Sequence, residues 1–90
     1  MKLTFVKNIQ FSKLLKLNGQ LKEFNFRKSN ASSEGLFTID LLDDKANRII
    51  FYMENQNSEW VSVTPNLPKW LEDVLPQLNE IIQEEMQKHA

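Results

Sequence analysis

Few side chains in this chain have the types and spacings that do chemistry. The sole histidine, His89, is the penultimate residue. Terminal disorder is the default there, and no neighbouring side chain orients the ring. Ser/His and Cys/His nucleophiles therefore lack a base. No cysteine occurs among the 90 residues, which excludes disulfides and thiolate metal sites. Asp43-Asp44 is a carboxylate pair of the kind that binds cations, but adjacent acids between two apolar segments read as solvated turn formers. Glu84-Glu85 reads as the exposed side of a helix. Gly19 and Gly35 are the only glycines, too few for a phosphate cradle or a dinucleotide fingerprint. The sequence thus predicts no enzyme, no metal and no cofactor.

One constellation points to a polyanion. Lys13, Lys16, Lys22, Arg27 and Lys28 are interleaved with Phe11, Phe24 and Phe26. Cations that track phosphates and rings that stack on bases are how single-stranded nucleic acid is held. Residues 1–28 carry seven basic groups against Glu23, a balance of +6, while residues 29–64 carry −4 and residues 65–90 carry −3. The order of several strands followed by one helix resembles Whirly and PUR-type single-strand binding units in topology, and that resemblance carries no site residues across. Two features oppose this reading. A pI near 5.8 lacks the basic excess of a dedicated nucleic-acid domain. The same cations also have Asp40, Asp43, Asp44, Glu54 and Glu59 available as neighbours on adjacent strands.

The elements that position these residues follow from two periodicities. Asn18-Gly19 is the strongest turn signal, because both residues tolerate the positive φ of a type I′ hairpin. Pairing Leu17 with Gln20 sets Leu15 opposite Lys22, Lys13 opposite Phe24 and Phe11 opposite Phe26. Phe11, Leu15, Leu17, Phe24 and Phe26 then share the core face. A helix over 7–17 ended by Gly19 is the competing reading. Strands are predicted over about 9–17, 20–28, 36–42, 48–54 and 59–64, joined by short turns as an antiparallel meander. Period two then gives way to three- and four-residue spacing. Leu67, Trp70, Leu71, Val74, Leu75, Leu78, Ile81, Ile82 and Met86 form one apolar stripe, predicting a helix over about 67–88 with a kink near Pro76 and Asn66 as its cap. The fold class predicted is α+β, one domain of four or five antiparallel strands with a C-terminal helix across one face.

One helix covers one face only. If Ile49, Phe51, Met53, Val61 and Val63 point inward, then Leu14, Leu21, Leu42, Ile50, Tyr52 and Trp60 point outward. Six apolar groups on an uncovered face are the composition of an interface, with Trp60 and Tyr52 as anchors. The first choice is therefore a small protein-interaction module that forms a homodimer through that face or a sheet edge. A single-stranded nucleic-acid binder is the alternative, and a small-ligand or enzyme-accessory domain the third. The apolar start is cut by Lys7 and Asn8 before a secretory core forms, and no 18-residue apolar run follows, so a cytoplasmic location is expected.

Overall fold

Asn18 and Gly19, with φ of 51° and 81°, make the two-residue turn that sets the first register. It joins β1 (Ile9–Leu17) to β2 (Gln20–Lys28), paired antiparallel from Leu17 opposite Gln20 to Ile9 opposite Lys28. The hairpin stands and the competing helix is absent. The computed structural model describes residues 8–29 and 34–88. β3 (Leu36–Leu42) meets β2 along a short ladder, from Asn25 opposite Asp40 to Arg27 opposite Thr38. β4 (Arg48–Gln56) pairs with the whole of β3. Asp43 builds the turn between them: its Oδ1 accepts the backbone N–H groups of Lys45 and Asn47 at 2.9 and 2.8 Å. Asn57 and Ser58 then lead into β5 (Glu59–Ser62), completing the order β1-β2-β3-β4-β5.

Turn length decides which face each side chain takes. The two-residue turns join odd positions on one strand to even positions on the next, as in Phe11 opposite Phe26 and Asn55 opposite Trp60. The core face therefore carries Phe24 and Phe26 of β2, Phe37, Ile39 and Leu41 of β3, Phe51 and Met53 of β4, and Trp60 of β5, all buried. Phe11 stacks on Phe26 at 4.5 Å, and Phe37 meets Trp60 edge-on at 5.1 Å. Trp60 is thus corrected from an outer-face anchor to a core residue, 4% exposed. The sequence expectation sent Val61 and Val63 inward, but an even-numbered turn after Met53 forbids it, and Val63 is exposed.

The helix is two pieces, α1 (Lys69–Glu72) and α2 (Leu75–Lys88). Pro76 lacks an N–H and its ring crowds the carbonyl of Glu72, so the first piece ends at Glu72. Pro76 then sits in the first turn of α2, where a missing donor costs nothing. Asn66 does not cap. Its φ is 62°, and the start of α1 rests on the Pro68 carbonyl, which accepts the N–H groups of Leu71 and Glu72 at 3.0 Å. Leu71, Val74, Leu78 and Ile82 are buried against the sheet, with Leu67, Trp70, Leu75, Ile81 and Met86 half-buried around them.

Candidate interaction surface

The face away from the helices is laid out by the registers. Leu14 and Lys16 of β1 lie opposite Glu23 and Leu21 of β2, and Asn25 lies opposite Asp40, which lies opposite Ile50. Five of the six residues expected there are exposed: Leu14 and Leu21 most, then Leu42, Ile50 and Tyr52. Leu36 and Val63 are also exposed and belong to this face, which the sequence reading missed. For Val63, the length of the Asn57-Ser58 turn was the available signal; for Leu36 it was the shared parity with Leu42 in the strand over 36–42.

A row of polar side chains divides the surface. Ser12 Oγ donates to Asn25 Oδ1 at 2.7 Å, and Asn25 Nδ2 donates to Asp40 Oδ1 at 3.0 Å. Arg48 Nη2 donates to Asp40 Oδ2 at 3.0 Å, and Arg27 Nη2 lies 3.6 Å from the same oxygen. Asp40 is buried, only 7% exposed, although it lies on the face without a helix. Burial alone would raise its pKa, but the hydrogen bonds from Asn25 and Arg48 and the charges of Arg48 and Arg27 outweigh it and hold the carboxyl below its ordinary value. Leu14, Leu21 and Leu42 fall on the hairpin side of this row, and Leu36, Tyr52 and Val63 on the other.

On the hairpin side β2 and β3 part. Their ladder stops at Asn25–Asp40, and beyond it a cleft of about 560 Å³ is lined by Leu21, Glu23, Leu42, Asp44 and Arg48 among others. Lys22 closes its helix side, 2.7 Å from Asp44 Oδ1 and 5.5 Å above the Trp70 ring. Glu23 makes no ion pair among the described residues.

The five cations of the hairpin do not share a face. Lys16 and Arg27 stand on the outer face, while Lys13, Lys22 and Lys28 alternate onto the helix side. Lys28 is buried, and burial pulls its pKa down against the opposing charge of Glu34. Phe24 and Phe26 are fully buried, and Phe11 is half-buried, stacked on Phe26 and edge-on to Phe37. Asp43 accepts from its own turn and Asp44 from Lys22. Glu85 is half-buried near Lys88, not exposed as expected. Among the described residues no group of three or more His, Cys, Asp or Glu side chains is placed to hold a metal ion, and His89 lies outside them. No helix among them is long and apolar enough to cross a membrane.

No family model matches the chain, and neither the curated proteins nor the solved structures give a match. The likeness to single-strand binding units gains no support from these comparisons.

Proposed function

We propose that this chain is a small protein-interaction module that self-associates through the uncovered face of its sheet. The observation that carries the reading is the cluster of Leu14, Leu21, Leu42, Ile50 and Tyr52, all more than two-fifths exposed on one surface. Scattered apolar residues on a surface are ordinary, whereas a set sharing one sheet face is the composition of a docking patch. With Trp60 in the core, Tyr52 is the one aromatic anchor left on that face.

The face is favoured over the edges. β5 is met along its open side by α2, whose Asn79 Oδ1 accepts the Trp60 backbone N–H at 2.6 Å and whose Gln83 donates to the Ser58 carbonyl at 3.0 Å. β1 is open, but Lys13 projects from it onto the helix side, opposite Phe24. An inward-pointing charge on an edge strand is a device that opposes strand addition. The absence of cysteine supports a reducing compartment such as the cytoplasm.

Light scattering of the intact chain from low to high micromolar concentration tests the reading. The mass should rise from 10.6 kDa towards twice that value. A monomer at every concentration would remove self-association.

A further inference from the structure

The outer face of the β1–β2 hairpin carries a pattern that is complementary to itself. Leu14 stands opposite Glu23 and Lys16 opposite Leu21. The two leucines thus occupy one diagonal of a small rectangle and the two opposite charges the other, with sides of about 4.8 Å across the strands and about 6.8 Å along them. At 61% and 67%, Leu14 and Leu21 are the most exposed large apolar residues described. Lys16 and Glu23 make no ion pair among the described residues, while Lys22 and Arg27 of the same hairpin both do.

Resting on the reading that the outer face is the binding surface, we infer that the occupant of the hairpin half of that face is the same half of a second copy, related by a two-fold axis along the Leu14–Leu21 diagonal. Symmetry selects this axis. An axis parallel to the strands sets Leu14 against Glu23 and Lys16 against Leu21. An axis perpendicular to them sets Leu14 against Lys16 and Glu23 against Leu21. Either leaves apolar groups facing charges. The other diagonal sets Lys16 against Lys16 and Glu23 against Glu23, which like-charge repulsion opposes. Along the leucine diagonal, Leu14 meets Leu14, Leu21 meets Leu21, and each Lys16 meets Glu23 of the second copy, giving two reciprocal ion pairs.

The contact is isologous and closed, so it stops at a dimer. The rectangle's proportions make the strands of the two copies cross at about 70°, near the orthogonal class of sheet packing. Leu42, across the cleft from Glu23, extends the apolar contact at its margin. A partner of unrelated sequence has no need of a surface that complements itself under a two-fold; a second copy does. The polar row through Asp40 bounds the contact, leaving Tyr52 and Val63 outside it.

Sedimentation equilibrium of the intact chain and four surface variants tests the inference. Lys16→Glu should weaken the dimer about tenfold or more, and Glu23→Lys likewise, since each turns two attractions into two repulsions. The double variant K16E/E23K should restore the wild-type constant, and an equimolar mixture of the two single variants should form a heterodimer. Tyr52→Ser, across the polar row from the four hairpin residues, should weaken the dimer less than either charge reversal. These positions are exposed, and a circular dichroism spectrum of each variant confirms that the fold is retained. A dimer indifferent to both charge reversals but lost in Y52S would overturn the two-fold through the hairpin and leave the outer face as the binding surface. Loss in both single variants without rescue in either combination would also overturn it. A wild-type monomer throughout would overturn it together with self-association.

Discussion

Asn79 of α2 holds the edge of the sheet: its Oδ1 accepts the backbone N–H of Trp60 at 2.6 Å and the side-chain N–H of Gln83 at 2.9 Å. A strand edge pairs with whatever offers an acceptor at the right height, and here a helix offers it. Asn79→Ala leaves the half-buried Trp60 N–H without its partner and should lower stability by about 1–2 kcal/mol in urea titration. Asn79→Asp keeps the acceptor and should cost less. Equal losses for the two variants would mean that the bond contributes nothing beyond side-chain packing.

The side chain of Trp60 gives a second check. It is buried against Phe37, whereas Trp70 is half-buried beneath Lys22. Trp60→Ala should cost about 3–5 kcal/mol and Leu78→Ala about 2–5 kcal/mol, both through the cavity left in the core. Acrylamide should quench the Trp70→Phe variant, in which Trp60 alone emits, far less than the Trp60→Phe variant. The reverse order would place Trp60 outside.

Most of the sheet was legible in the sequence because two-residue turns and period-two alternation are local signals. Asn18-Gly19 gave the full β1–β2 register, and the bounds of β3 follow from Gly35 and the Asp43 turn. Trp60 faces the core because the two-residue turn after Gln56 sets the parity of β5, which overrides the outward direction that the apolar pair Val61 and Val63 suggests for it. The break at Glu72 was displaced from Pro76 because a proline acts on the carbonyl four residues before it. Neither the polar row through Asp40 nor the cleft beside it was readable, since both depend on where the β2–β3 ladder stops, across a loop of undetermined register.

Asp40 should make stability fall in acid. Its pKa is held below the ordinary value, so the folded state favours the carboxylate and the stabilisation is fully present above about pH 4. It is lost as pH falls through the folded-state value, and only below that value do the folded and unfolded chains bind protons equally. Asp40→Asn removes the charge and should cost about 1–2 kcal/mol at neutral pH, because Arg27 and Arg48 lose their common anion. The difference between wild type and D40N should shrink as pH is lowered below about 4. A difference that stays constant with pH would show that the arginines do not act through charge.

Single-stranded nucleic acid should not bind. A site for it needs cations on one accessible surface and at least one ring free to stack. Lys13, Lys22 and Lys28 face the helix side while Lys16 and Arg27 face away, Lys22 is held by Asp44, Phe24 and Phe26 are fully buried, Phe11 stacks on Phe26, and the exposed Tyr52 lies across the polar row from Lys16. Only Lys16 and Arg27 are left on the outer face of the hairpin, and Arg27 already leans on Asp40. With Arg48 of β4 likewise held by Asp40, the cations on that face release too few counterions to give useful affinity at physiological salt. Fluorescence anisotropy of labelled oligo-dT at low salt should therefore stay flat up to high micromolar protein. Saturable binding that weakens steeply with salt and disappears in K16E would move the function to the nucleic-acid reading, because Lys16 is the one hairpin cation on that face with no ion pair among the described residues.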